Sequence, residues 1–306
     1  MSKPYHLSPY ELRAVQLTEL ELLCEVNRIC RKHAIAYRIV AGTLLGAVRN
    51  GGFIPWDDDA DVAFLRGEYE KFRLVCQSEL DTSRFYFQDH RNTPGYRWGY
   101  GKLRRKGTEF VRLNQEHMPY EQGIFIDIFP YDGMPDNYLL RSLHCFQCFL
   151  YRKAFWSEVG WRTAKGFELI AYQLLRKIPD DLLYSSFDRF IKKSNRRRSK
   201  WIRILTFPTP TKDYGYKRKW ALSVRNYTFE GVSLYGVAKY DEYLTFKFGD
   251  YMALPPEGQR KTHPVSRLKL LEDLPIPKAA GMIRPPKKHG HTNKILRFSD
   301  YRYMMR

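Results

Sequence analysis

The spacing of apolar residues predicts a long amphipathic helix near the start of the chain, from about Pro9 to His33. The residues Ser8 to Glu11 match a capping box with proline at the first helical position, which fixes where the helix begins. Apolar side chains then recur every three or four residues, as expected for one buried helix face: Leu12, Val15, Leu22, Val26 and Ile29.

Shorter alternating elements follow this helix. We predict a strand from Tyr37 to Val40, a short helix that opens at Gly42-Thr43 and ends near Arg49, and a strand from Asp59 to Phe64. A helix is expected from Glu68 to Leu80. The segment 84–113 has the pattern of strands separated by turns, because Gly and Pro interrupt short β-branched and aromatic runs.

An apolar run from Ile124 to Phe129 predicts a buried strand that ends at Pro130. One carboxylate, Asp127, lies inside this run. The alternation of a strand places Asp127 on the same face as the phenylalanines and opposite the isoleucines.

The pattern changes after this strand. From Asp136 to about Ser199 it is helical, aromatic and basic, and it returns to short elements from Phe207. We therefore divide the chain into a core (1–135), a helical insertion (136–205), a part that completes the core (206–275) and a loosely ordered basic tail (276–306). The fold class is α+β, with a mixed sheet, flanking helices and a helical insertion.

Charge narrows the choice of partners. The 306 residues are 43% hydrophobic, enough for a sizeable core, and carry a net charge of +19. This excess indicates an anionic partner: nucleic acid, acidic lipid, phosphorylated glycan or nucleotide. A basic surface that only maintains solubility is the alternative. A nucleic-acid-binding module would need basic residues interleaved with exposed aromatics, and Arg196 to Trp201 is the one stretch of that kind.

The chain lacks the layout of a signal peptide and has no apolar run of the 18 or so residues that a membrane span needs. The segment Ser142 to Tyr151 is too short to cross a bilayer, though it fits an interfacial position. Five cysteines, an odd number, argue against a disulfide framework and favour a cytoplasmic location. Cys145 and Cys148 form C-x-x-C without a second pair, so we interpret them as buried structural cysteines.

The most informative chemistry is in the acidic run DDDAD at positions 57–61. If Asp59 to Phe64 is a strand, Asp59 and Asp61 share a face, roughly 6–7 Å apart. Two carboxylates side by side on a half-buried strand repel each other unless a cation lies between them. Hard oxygen ligands suit Mg²⁺ or Mn²⁺, so we interpret the pair as a metal site, with a solvated turn as the alternative.

Neighbouring residues extend this hypothesis. A Gly42-Thr43 turn that opens a helix presents free backbone N–H groups to a phosphate. The order of strand, Gly-Thr turn, helix and D-x-D strand is similar to nucleotidyltransferase palms, where Asp127 would be a third carboxylate. Asp57 is either a further ligand or a turn cap, and Asp58 is a weaker candidate. Basic residues could bind a phosphate or be solvated surface charges: Arg49, Lys102 and Arg104.

Residues 42–62, GTLLGAVRNGGFIPWDDDADV, resemble the signature of the LicD family. The N-terminal helix, FIDIFP at 125–130, YDEYL at 240–244 and GDYM at 249–252 agree with that resemblance, as does His263 after the Pro255-Pro256 pair. The match covers roughly 8–130 and 229–263. Ala60 departs from the family, which prefers a larger aliphatic residue there.

The resemblance implies a nucleotidyltransferase-like fold and a metal-dependent transfer of a phosphorylated alcohol, usually phosphocholine, from a CDP-linked donor such as CDP-choline to a sugar hydroxyl. The acceptor would be a cell-surface glycan or glycolipid, reached by peripheral contact with the anionic inner face of the plasma membrane. Asp59, Asp61 and Asp127 would bind Mg²⁺ or Mn²⁺, and Gly42-Thr43 would hold the phosphates. The alternatives are a D-x-D glycosyltransferase that uses a nucleotide sugar, and a nucleic-acid-binding protein. We do not expect nucleic acid as a partner.

Overall fold

The computed structural model describes residues 5–208 and 213–272. The predicted tail, 276–306, lies outside these ranges. The α-helices of the described part are α1 (Pro9–Lys32), α2 (Ala41–Arg49), α3 (Arg66–Glu79), α4 (Tyr138–Phe155), α5 (Ser157–Thr163), α6 (Gly166–Leu175), α7 (Asp180–Asn195) and α8 (Tyr240–Phe248). Its strands are β1 (Tyr37–Ile39), β2 (Asp61–Leu65), β3 (Phe85–Gln88), β4 (Gly101–Arg105), β5 (Glu109–Arg112), β6 (Phe125–Met134), β7 (Trp201–Arg203), β8 (Tyr216–Lys217), β9 (Val224–Phe229), β10 (Val232–Val237) and β11 (Val265–Lys269).

A nine-stranded mixed sheet organises the molecule. Seven strands run in the order β3-β4-β6-β2-β1-β10-β9, and β7 and β8 extend it beside the second half of β6. The pairs β2–β6 and β1–β10 are parallel, and the others are antiparallel. The hairpin β9–β10 thus pairs through β10 with β1, the first strand of the described chain. Strands β5 and β11 form a separate two-stranded sheet. The predicted α+β class with flanking helices is confirmed.

The first helix begins as its sequence predicts. The Ser8 side chain accepts a hydrogen bond from the Glu11 N–H, and the Glu11 carboxylate accepts one from the Ser8 N–H at 2.8 Å. The helix ends at Lys32, one residue before the predicted end. Leu22 and Val26 on its apolar face are completely buried in the core.

Strand β6 is longer than predicted, because it continues through Pro130 to Met134. The Asp127 N–H donates to the Ala60 carbonyl on the β2 side, so the nitrogen of Pro130 faces the other side by alternation. There the pairing with β4 stops at Ile128, and the pairing with β7 starts at Asp132. The proline therefore lies in a gap where its missing N–H removes no ladder hydrogen bond.

The helices α4 to α7 confirm the predicted helical character of this part of the chain. They pack around a second apolar cluster that includes Cys148, Phe155 and Phe187. All five cysteines are free. Cys148 is buried as predicted, but Cys145 is partly exposed, so the prediction of two buried cysteines is right for Cys148 only. No helix of the described part is long and apolar enough to cross a bilayer.

A buried histidine in this cluster predicts a pH dependence of stability. His144 Nε2 lies 2.8 Å from Ser194 Oγ, and burial lowers the pKa of His144 from 6.5 to about 4. Its contribution is complete above about pH 6.5 and is lost as the pH falls toward 4, because the unfolded state binds the proton first. We expect a loss of about 3 kcal/mol over this range. Urea unfolding should show a shallower pH slope for His144→Gln, and equal slopes in the two proteins would contradict this role.

Candidate active site

Three ionisable residues form a row across neighbouring strands of the sheet. Asp61, the first residue of β2, lies opposite Asp127 on β6, and Asp127 lies opposite Lys102 on β4. Adjacent strands are about 4.8 Å apart, so the three side chains share one face at close range. The Lys102 ammonium donates directly to Asp127 Oδ1. The structure therefore brings together three of the residues that the sequence singled out.

Helix α2 fixes the start of β2. The Asp61 N–H donates to Thr43 Oγ1 at 2.8 Å, and the Val40 N–H donates to the Asp61 carbonyl at 3.1 Å. These two bonds connect the N-terminus of α2 to the first strand residue. Thr43 thus has a positioning role that the sequence did not predict, beside its proposed role in phosphate binding.

The acidic run is not part of a strand before Asp61, so the prediction of a strand from Asp59 is wrong. Strand β1 ends at Ile39 and the chain turns into α2 at Ala41, which has a left-handed φ of 50°. Residues 57–60 therefore have no partner on the β1 side. Asp59 and Asp61 are not related by the pleat of a strand, and the distance calculated from it does not apply.

Asp59 instead lies beside Asp57. Burial, and after it the negative charge of Asp59, raise the pKa of Asp57 well above its usual value. The Asp57 carboxylate lies directly over Gly42, because a Cβ atom at Gly42 would be 2.6 Å from Asp57 Oδ2. Asp57 is therefore positioned at the N-terminus of α2, close to the predicted phosphate turn.

The cluster carries more negative charge than its neighbours neutralise. Burial raises the pKa of Asp61, and the nearby carboxylates Asp59 and Asp127 raise it further. Burial also raises the pKa of Asp127, against the attraction of Lys102. Conversely, burial lowers the pKa of Lys102 to about 8. An additional cation would relieve the repulsion among these carboxylates.

The donor chemistry fits a hard divalent cation, since all the candidate ligands are carboxylate oxygens. Within residues 5–208 and 213–272, however, no group of three or more His, Cys, Asp and Glu side chains converges on one metal position. Asp127 contacts Lys102, and Asp59 Oδ2 lies 3.7 Å from His263 Nδ1. On the chemistry of the donors, Asp57, Asp59, Asp61 and Asp127 remain the candidate ligands.

Asp58 has a structural role. Its carboxylate is almost completely buried and accepts hydrogen bonds from the His263 N–H at 3.1 Å and from Arg112 Nη1 at 3.3 Å, and it lies 2.8 Å from His263 Nδ1. Arg112 ends β5, and His263 precedes β11. Asp58 thus ties the two-stranded sheet to the acidic run. The sequence offered His263 only as part of the family resemblance.

Two basic residues that the sequence singled out, Arg104 and Arg49, form hydrogen bonds with other parts of the protein. Arg104, which the sequence left open as a phosphate ligand or a solvated surface charge, is buried and donates to Gln88 Oε1 at 2.6 Å and to the Gly123 carbonyl at 2.8 Å. Arg49 Nη1 donates to the Tyr251 carbonyl at 3.2 Å, so it holds the loop after α8.

Lys247 on α8 was missed by the sequence analysis. Its positive charge favours the ionised form of Asp61, so it lies near the cluster. Its Nζ atom is 3.4 Å from Tyr216 Oη. The only sequence signal was its position between the YDEYL and GDYM segments, which place α8 in the family pattern.

Comparison with known proteins finds a matching family and similar relatives. Residues 34–159 match the family described as "LicD/FKTN/FKRP, nucleotidyltransferase domain", a range that contains α2, the acidic run and Asp127. The lipopolysaccharide cholinephosphotransferase LicD of Haemophilus influenzae is 29% identical over 275 residues, which cover 85% of this chain and 98% of the relative. An uncharacterised protein of Rickettsia typhi is 37% identical over 73 residues, 24% of this chain and 22% of that protein.

The similarity to the Haemophilus protein continues well beyond the matched domain, over nearly the whole of both chains. This extent, together with a family match that includes the acidic run, confirms the resemblance to the LicD family.

Proposed function

We propose that this protein is a metal-dependent transferase that moves phosphocholine, or a similar phosphorylated alcohol, from a CDP-linked donor to a sugar hydroxyl of a cell-surface glycan. The observation that carries the proposal is the row Asp61-Asp127-Lys102 beside the N-terminus of α2. The similarity to a lipopolysaccharide cholinephosphotransferase over 98% of that relative supports the choice of phosphocholine and of a glycan acceptor.

The donor would bind with its diphosphate at the N-terminus of α2, where Gly42 and Thr43 present backbone N–H groups. Lys247, whose charge acts on Asp61, and Arg49, at the opposite end of α2, would attract the anionic phosphates. Mg²⁺ or Mn²⁺, held by Asp59, Asp61 and Asp127 with Asp57 as a further candidate, would neutralise phosphate charge and orient the donor.

In the transfer step, the oxygen of the acceptor hydroxyl forms a bond to the phosphorus of the phosphocholine group. The bond from that phosphorus to the bridging oxygen breaks, and CMP leaves with the electron pair. The hydroxyl proton passes to a carboxylate of the cluster. Asp127 suits this role, because burial raises its pKa and the contact with Lys102 fixes its orientation.

A donor screen tests the proposal. The purified protein with Mg²⁺ is incubated with CDP-choline, other CDP-alcohols or UDP-sugars, with and without lipopolysaccharide as the acceptor, and nucleotide release is measured. We expect CMP from a CDP-alcohol only when an acceptor is present. Release of UDP from a UDP-sugar instead would favour a D-x-D glycosyltransferase and contradict the proposal.

Gly42→Ala should impair transfer with little effect on folding. The added methyl group would push against the Asp57 carboxylate, which is the free end of a side chain and can move away. We expect CMP release to fall by about tenfold or more, because a displacement of 1 Å in a site is costly. Gly67→Ala on α3 is the matched control, since its methyl group would meet no atom within 4 Å. Equal activity of both variants would show that the position of Asp57 does not matter.

We further propose that transfer takes place at the cytoplasmic face of the plasma membrane, where a glycolipid precursor would be the acceptor. The net charge of +19 supports this, because anionic lipid surfaces attract basic proteins.

A further inference from the structure

Helix α4 exposes a stripe of large apolar residues and buries an arginine and a histidine. Leu139, Leu143 and Phe146 are 72%, 64% and 59% exposed. The opposite face, which packs against the protein, contains Arg141, with only 4% exposed, and His144. An ordinary surface helix has the reverse arrangement. The exposed stripe continues along the helix to Leu150, so it covers about three turns.

Helix α6 carries a second apolar stripe. Phe167, Ile170 and Leu174 follow at helical spacing and are all exposed, Phe167 at 92%. Lys153 at the end of α4 connects the two helices, because its Nζ donates to Glu168 Oε1 at 2.7 Å and to the Tyr172 hydroxyl at 2.9 Å on α6. The two stripes therefore belong to neighbouring helices, and we call them together the α4–α6 face.

The charges around the α4–α6 face have one predominant sign. Residues 138–178 contain seven Lys and Arg but only two acidic residues, Glu158 and Glu168. Both acidic residues are within ion-pair distance of basic ones, Arg176 and Lys153. Four basic residues of this segment are exposed to solvent: Arg162, Lys165, Arg176 and Lys177. An apolar face with a basic surround complements an anionic lipid bilayer, which offers both an acyl region and negative head groups.

We propose that the α4–α6 face docks the protein on the surface of an anionic bilayer, with Leu143, Phe146 and Phe167 inserted at the level of the acyl chains. The helices lie along the interface and do not span it, in keeping with their length and composition. Trp156, exposed at the end of α4, suits the head-group level, where the amphipathic indole is favoured. This inference deepens the membrane location proposed above and rests on it, and the binding surface that it assigns is measured without any reaction.

Vesicle flotation tests the docking face. The protein is mixed with vesicles of phosphatidylglycerol and phosphatidylethanolamine, or of phosphatidylcholine alone, and separated on a density gradient. We expect the wild-type protein to float with the anionic vesicles and to bind phosphatidylcholine vesicles much less. The double variant Leu143→Ser/Phe146→Ser should lose at least about tenfold of the bound fraction. Both positions are exposed, so the variant should keep the wild-type circular dichroism spectrum.

Leu74→Ser/Leu222→Ser is the matched control, because it removes two equally exposed leucines elsewhere, and it should float like the wild type. Flotation of the Leu143→Ser/Phe146→Ser variant at the wild-type level, or a wild-type protein that stays in the dense fractions, would overturn the proposal. A wild-type dimer in sedimentation velocity that becomes a monomer in this variant would identify a contact between copies of the chain and overturn it as well. CMP release with a deacylated, water-soluble glycan should be equal in the variant and the wild type, which separates this test from that of the proposed function.

Discussion

Replacement of Asp61 by asparagine is expected to abolish phosphocholine transfer and to leave the protein at least as stable as the wild type. Asp61 lies at one end of the row, directly opposite Asp127, and the amide of an asparagine would be a poorer ligand for a hard cation than its carboxylate. We expect CMP release to fall by about 10³-fold or more. In a buffer with a chelator, the free energy of unfolding should be equal or higher, because the change removes a carboxylate whose ionised form is disfavoured by burial and by Asp59 and Asp127.

The measurements are CMP release with CDP-choline and lipopolysaccharide, and urea unfolding of the same samples. Glu257→Gln is the control, since the Glu257 side chain is 91% exposed and has no proposed part in the reaction. A fully active Asp61→Asn protein would remove Asp61 from the mechanism. An inactive variant that is also strongly destabilised would point to a structural role instead.

Asp58→Ala, unlike Asp61→Asn, is expected to cause a large loss of stability. The Asp58 carboxylate is buried, and its removal would leave Arg112 without its closer carboxylate and the His263 N–H without an acceptor. Breaking a buried ion pair by removal of one partner costs about 3–5 kcal/mol. Urea unfolding measures this loss directly, as the difference in free energy of unfolding between wild type and variant.

The role of Arg112 is tested in the same way by a double-mutant cycle. The variants Asp58→Ala, Arg112→Met and the combination of both should show a coupling energy, since the two side chains contact each other. Additive effects would show that Asp58 stabilises the protein through His263 alone. A loss in the free energy of unfolding below about 0.5 kcal/mol for Asp58→Ala, which is typical of surface substitutions, would show that Asp58 does not stabilise the contact between the acidic run and the two-stranded sheet.

The sequence predicted the elements whose signal is local. The first helix has a capping box and a long apolar period, and its observed bounds differ by one residue from the prediction. The short helix that ends at Arg49 was placed correctly because Gly42 and Gly51 bracket it. The pairing of Asp61 with Asp127 was harder, since the two residues are 66 positions apart. The similarity of the element order to nucleotidyltransferase palms, and not the local residue pattern, suggested that they meet.

The errors have long-range causes. Asp59 was assigned to a strand because the pattern before Asp61 continues to alternate, but β1 turns away at Ala41 and leaves residues 57–60 without a partner. Pro130 was predicted to end its strand. The strand instead continues through it, because Pro130 lies in the gap between the pairing with β4 and the pairing with β7. Neither the turn nor the gap leaves a signal in the local sequence.

The contacts of Asp58 and Lys247 were also out of reach of the residue pattern. Asp58 contacts His263, 205 positions later, and Lys247 approaches Asp61 from a helix near the end of the described chain. The sequence pattern does not distinguish the roles of the four carboxylates at positions 57, 58, 59 and 61. In the folded protein, Asp58 contacts the segment before β11 and stabilises the fold, whereas we propose that Asp57, Asp59 and Asp61 act in the reaction. This difference in role is visible only in the folded structure.

The central claim is that carboxylates on two neighbouring strands bind a divalent cation together, and a Mn²⁺ titration followed by electron paramagnetic resonance tests it most directly. In the presence of CDP-choline, we predict that Mn²⁺ binds the wild-type protein and Glu257→Gln equally. Asp61→Asn and Asp127→Asn should each weaken this binding by at least about tenfold. Unchanged Mn²⁺ affinity in both of these aspartate variants would contradict the account.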